Sequence, residues 1–138
     1  MLGIISKVFG GNKSEKDVKK IRPVVEKVNH HFAAYASLTN DELRNKTQEF
    51  RARIKEHLKE IDEEISANNT AAEELPFNDL MGKDAVYQKV DKLKKDRDKQ
   101  IEKILEEILP EAFAVVKETA RRFKENTEIV ATATQLDR

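Results

Sequence analysis

Apolar side chains recur along this chain at alternating steps of three and four residues, with charged residues filling the gaps. Val18, Ile21, Val25, Val28, Phe32 and Tyr35 form one series. Leu43, Thr47, Phe50, Ile54, Leu58, Ile61 and Ile65 form a second, and Val86, Val90, Leu93, Ile101, Ile104, Leu105 and Ile108 a third. A period near 3.6 lays each series along one edge of an α-helix, and the three-four alternation is the seam of a helix packed on another helix. One narrow greasy edge per helix cannot enclose a thick core. The spacing therefore predicts an all-α fold of long amphipathic helices in an antiparallel hairpin or bundle. Charged residues make up 38% of the 138, with four Gly, three Pro and no Trp, which suits long solvated helices.

Local signals set the expected boundaries. Residues 1–13 form a short amphipathic segment, closed by Gly10 and Gly11. The bundle is expected over 14–125. Ser14 opens its first helix, with Glu15 and Asp17 favourably placed in the first turn, and Pro23 should kink that helix or delay its start. Thr39 and Glu42 have the spacing of a capping box, and Leu38 and Leu43 that of a hydrophobic staple. The next helix is expected over 40–66. Asn68, Asn69, Pro76 and Gly82 then break the pattern before helical spacing returns over 83–109. Residues 92–103 are almost entirely charged, as in a solvated arm or a thin two-helix seam. Pro110 ends this helix and places a fresh N-terminus at Glu111. Phe113, Val116, Ala120 and Phe123 make the apolar face that follows. Residues 126–138 are read as an irregular, mobile linker, although the β-branched run 129–134 could also form a strand.

Composition and spacing exclude much chemistry. With 26 basic and 26 acidic residues the formal net charge is zero, so no nucleic-acid partner is expected. The chain has no Cys, hence neither disulfides nor thiolate chemistry. No apolar run approaches the ~20 residues that span a bilayer, and Lys7 interrupts the only stretch resembling a signal peptide. Gly10, Gly11, Asn12, Lys13 and Ser14 fail as a phosphate loop, because Asn12 separates Gly from Lys and no earlier Gly stands at the required spacing. His30 and His31 point about 100° apart on a helix and cannot share a metal ion, and His57 flanks the seam residue Leu58. Carboxylates interleave with Lys and Arg along helix faces and are not gathered in a concave pocket. No catalytic, cofactor-binding or metal-ligating residue is expected here.

The opening segment is the best site that residues alone support. Leu2, Ile4, Ile5, Val8 and Phe9 share one arc of a helix, and Lys7, Lys13, Lys16, Lys19, Lys20 and Arg22 add positive charge beside it. Partial burial of the arc together with attraction to anionic headgroups makes a two-signal surface anchor. The same arc could equally dock on this protein or on a second copy.

Two blocks carry a family resemblance. In residues 38–54, LTNDELRNKTQEFRARI, a leucine and acidic residues precede L-x-x-K-T-x-E-F-R-x-R. Residues 109–123, LPEAFAVVKETARRF, contain L-P-E-A-F-A-V-V followed by Lys117 and Glu118. Both blocks, and the start at Leu2, Lys7, Val8, Phe9 and Gly10, resemble the N-terminal region of SecA, the ATP-driven motor of bacterial preprotein translocation. The resemblance implies a parent that uses ATP and magnesium and is cytoplasmic, peripherally associated with the inner face of the cell membrane. Its implied partners are the SecYEG channel, anionic phospholipid, preprotein and the ribosome, with homo-oligomers expected. The family's Gln motif, Gly-Lys-Thr phosphate loop and Asp-Glu pair lie downstream of these blocks and are absent from the 138 residues. Membrane or translocon contact then falls to Leu2, Ile4, Ile5, Lys7, Val8, Phe9, Lys13, Lys16, Lys19 and Lys20. Core docking or self-association falls to Phe113, Val116, Ala120 and Phe123. Residues 59–100 are longer than in many members. The alternative is a stand-alone helical-hairpin interaction protein with no link to ATP.

Overall fold

In the computed structural model the described residues are 13–138. Helices α1 (Lys13–Tyr35), α2 (Asn40–Glu74) and α3 (Leu80–Glu125) follow one another, and a 3₁₀ turn occupies Gln135–Asp137. Among the described residues no strand forms. The all-α class predicted by the seam spacing is the class observed. The segment 1–12, with Leu2 to Phe9, lies outside the described residues.

Two expected boundaries move. Helix α2 runs to Glu74, through Asn68 and Asn69. Asn68 Nδ2 donates to the Glu64 carbonyl at 2.7 Å and Thr70 Oγ1 to the Ser66 carbonyl at 3.2 Å, so both side chains spend their hydrogen bonds on the helix's own backbone. Ala72 is buried, and packing carries the helix past residues of weak propensity. Helix α3 likewise runs unbroken through Pro110, where a fresh N-terminus was expected. A proline inside a helix forfeits one backbone bond and crowds the carbonyl four residues back. Here its ring is buried, and that burial opposes the loss. Pro23 also lies inside its helix, on an exposed position of α1.

The chain divides into two compact units, one of Met1–Arg44 with Pro110–Arg138 and one of Asn45–Leu109. In the first, Tyr35, Leu43 and Ala114 form a small core with Val28, Phe32, Leu38 and Val115 packed against it. Only the later half of the α1 stripe takes part, since Val18, Ile21 and Val25 are exposed. The capping box forms as its spacing predicts. The Glu42 amide donates to Thr39 Oγ1 at 3.2 Å, and the Thr39 amide to Glu42 Oε2 at 2.7 Å.

In the second unit, Leu58, Ile61, Val90, Ile104 and Ile108 are buried. Arg97 Nε donates to Asp62 Oδ1 at 2.5 Å, and Lys89 lies 3.2 Å from Glu64. As the α2 number rises from 62 to 64, the α3 number falls from 97 to 89, so the two strips run antiparallel. This is the expected hairpin.

Candidate docking site

The 109–123 block lies in the second half of α3, and its inward row mixes apolar with charged residues while large apolar side chains face outward. Pro110, Ala114, Glu118 and Arg122, four residues apart, all lie inward; Glu118 is 0% exposed. Phe113, Val116 and Phe123 are 58%, 66% and 70% exposed, and Ala120 is exposed beside them. At 100° per residue the centres of these two sets stand about 160° apart, on opposite sides of the helix. The site residues Phe113, Val116, Ala120 and Phe123 therefore form one continuous outward apolar strip.

What holds the inward row is a polar junction that sequence reasoning missed. Glu118 accepts from Arg121 Nε at 2.9 Å and Nη2 at 2.7 Å, and from Arg122 Nε at 2.8 Å. Arg122 reaches further, donating to the Tyr35 carbonyl at 3.2 Å, the Leu38 carbonyl at 2.6 Å and Asn40 Oδ1 at 2.7 Å. One guanidinium thereby satisfies carbonyls at the end of α1 and in the turn to α2, where backbone acceptors have no helical partner. The hydrogen bonds from Arg121 and then Arg122 hold the Glu118 carboxyl below its usual range against the opposing effect of burial. In sequence, Glu118 and Arg122 look like an ordinary surface pair at i,i+4 spacing. The signal that could have found them is their membership of the same four-residue row as Pro110 and Ala114.

Two further contacts fix α1 against α3. Lys117 Nζ donates to Asn29 Oδ1 at 2.7 Å and sits 4.3 Å from the centre of the Phe32 ring. The Tyr35 hydroxyl donates to Glu111 Oε2 at 3.4 Å.

The segment after α3, expected to be mobile, is tied to the first turn of α2. Asp41 accepts from the Thr132 amide at 2.9 Å and from its hydroxyl at 2.8 Å. Arg44 Nη1 donates to the Thr132 carbonyl at 2.7 Å, and Arg44 Nη2 is ion-paired with Asp137. Asn40 Nδ2 donates to the Val130 carbonyl at 2.7 Å. The Thr134 amide and hydroxyl, then Arg44, hold the Asp137 carboxyl down to about 2.

The cationic site residues Lys16, Lys19 and Lys20 are exposed on the early part of α1, along with Val18, Ile21 and Val25. Lys13 is the first residue of that helix, and Leu2, Ile4, Ile5, Lys7, Val8 and Phe9 precede the described residues. Among the described residues no helix is long and apolar enough to cross a membrane. None of them forms a group of three or more metal-ligating side chains, and the sequence has no phosphate loop.

These features define an all-helical element with an exposed apolar strip on its last long helix. Residues 5–136 match the SecA DEAD-like domain family. The chain is 42% identical over 99% of its length to the protein translocase subunit SecA of Cytophaga hutchinsonii. It is 44% identical over 99% to that of Christiangramia forsetii, and 44% identical over its whole length to that of Amoebophilus asiaticus. The chain belongs to the SecA family. It spans 12% of the length of these relatives. No solved structure matches it.

Proposed function

We propose that this chain is the N-terminal, non-catalytic part of a SecA-like motor that uses ATP and magnesium to drive preproteins through the SecYEG channel. Its role is to dock. The observation that carries this reading is the outward strip Phe113, Val116, Ala120 and Phe123, an apolar face on a helix whose inward side is already filled. A strip of this kind seeks cover, from the remainder of the motor or from a second copy. Membership of the family, and a match covering nearly all of this chain but 12% of its relatives, support the first occupant. The arc Leu2, Ile4, Ile5, Val8 and Phe9, with Lys7, Lys13, Lys16, Lys19 and Lys20, gives contact with anionic phospholipid or the translocon at the cytoplasmic face of the membrane. Ribosome contact is assigned to the same segment by resemblance.

The test is a chimaera in which residues 1–138 replace the matching segment of the Cytophaga hutchinsonii relative. It is expected to transport a preprotein into inverted membrane vesicles when ATP is supplied, and the 138 residues alone are expected to hydrolyse none. A folded chimaera that hydrolyses ATP but transports nothing overturns the reading. So does nucleotide turnover by the isolated chain, whereas the stand-alone hairpin gains only from a folded chimaera that fails to transport.

A further inference from the structure

The turn between α2 and α3 presents its largest apolar side chains to water. Phe77 is 93% exposed, Met81 87% and Leu80 73%. All three fall within residues 77–81, where the connecting turn enters α3 and is held by its own hydrogen bonds. The Asp79 amide donates to the Pro76 carbonyl at 3.0 Å, the Lys83 amide to the Asp79 carbonyl at 3.1 Å, and the Gly82 amide to Asp79 Oδ1 at 2.9 Å. Asp79 thus caps α3. Its carboxylate lies close over Gly82, where a Cβ would stand 2.2 Å from Asp79 Oδ2 and the carboxylate would have to shift. The backbone that carries the apolar trio is therefore ordered before any partner arrives, which lowers the backbone share of the ordering cost of binding.

The charges around the trio select the occupant. Glu73, Glu74, Asp79 and Asp84 lie within a few residues of it, against one lysine, Lys83, whose Nζ lies 5.9 Å from the Phe77 ring centre. An anionic membrane would repel these carboxylates. A second copy meeting the first across a two-fold axis would bring the same carboxylates face to face. We infer that the Phe77–Leu80–Met81 tip is a docking knob for a partner protein whose surface offers an apolar hollow ringed by Lys and Arg. Burial of the trio supplies affinity, and the carboxylates steer and select. The knob lies in the 59–100 region and makes no use of the 109–123 strip, so its test stands apart from that of the docking role.

The first experiment places p-benzoylphenylalanine at position 77 in the protein within its own cells, followed by irradiation and mapping of the cross-linked peptide. The expected product is one protein, cross-linked through a segment that combines apolar residues with Lys or Arg. Introducing Glu73→Lys with Glu74→Lys should reduce its yield severalfold. Cross-links only to lipid, to a second copy of this chain or to an acidic segment overturn the inference, as does the absence of any product.

The second uses an amphipathic Leu/Lys helical peptide as probe, followed by fluorescence anisotropy. Phe77→Ser with Met81→Ser should weaken its binding about tenfold or more, and a matched Leu/Glu peptide should not bind. Both replaced side chains are exposed, so the helical circular dichroism of the variant should be unchanged. Equal binding of the Leu/Lys peptide by the folded variant and the parent overturns the inference.

Discussion

Nη2 of Arg122 lies 2.6 Å from the carbonyl oxygen of Leu38, and through this bond α3 closes the turn between α1 and α2. The same guanidinium holds Glu118, so a charged pair stands where a helix seam would ordinarily carry leucine. The end of α1, the turn at Leu38 and α3 meet there, and each contributes an acceptor to the one guanidinium.

Arg122→Ala leaves Glu118 buried with one partner fewer and strips the Leu38 carbonyl of its donor. Because Arg121 still holds Glu118, the loss is that of buried polar groups left short of a partner, about 1–3 kcal/mol. Urea unfolding should show a lowered midpoint, with Arg122→Lys also destabilised because one ammonium cannot span the same acceptors. A midpoint unchanged in both variants would contradict the role assigned to this junction.

Thr39 and Glu42 satisfy each other's amides at the start of α2. Thr39→Ala should cost about 1 kcal/mol, measured in the same urea experiment, and Thr39→Ser should retain most of the cap. Loss of equal size in both variants would argue that the methyl group, not the hydroxyl, matters.

Acid should release the segment that follows α3. Asp137 has its carboxyl held down to about 2 from an ordinary value of 3.8, first by the Thr134 amide. Asp41 is lowered by Thr132. For a depressed acid the stabilising contribution is complete above the ordinary value and disappears as pH falls through the folded one. Amide protection at Thr132 and Thr134 should therefore be full above about pH 5 and should be lost between about pH 4 and 2. The comparison is with Asp137→Asn, whose protection should already be reduced at neutral pH. Identical protection of variant and parent at neutral pH would remove the tether.

The outward strip predicts association. Phe113→Ser with Phe123→Ser removes exposed apolar area without opening the core, so thermal stability should shift by no more than about 0.5 kcal/mol. Sedimentation should show the parent chain forming dimers as concentration rises and the variant remaining monomeric. A parent that stays monomeric across a wide concentration range defeats the self-association reading.

At the other end of the chain, Ile5→Asp with Phe9→Asp places two charges in the arc read as a membrane anchor. Co-sedimentation with anionic liposomes should fall toward background and should also fall in high salt, because headgroup attraction is screened. Binding that survives the double substitution would move membrane contact elsewhere.

Much of this architecture is legible in the residues because it is local. The Thr39 cap needs only Glu42 three positions on, and the hairpin needs only two matching stripes and a turn. Local signals misjudge α2 at Asn68 and α3 at Pro110, where burial of Ala72 and of the proline ring outweighs weak propensity.

The sequence by itself determined that the chain is helical, that Thr39 caps a helix and which edges are greasy, since these follow from the spacing of neighbours along one strand of polypeptide. Only the tertiary structure decided which edge is covered. Periodicity marks an apolar stripe but not whether this chain supplies the surface that buries it, so Phe113 and Phe123 stay in water while Glu118 goes inside. A carboxylate can be buried there only because Arg121 and Arg122 return its hydrogen bonds, and Arg122 reaches its other acceptors only after the turn at Leu38 has been folded against α3.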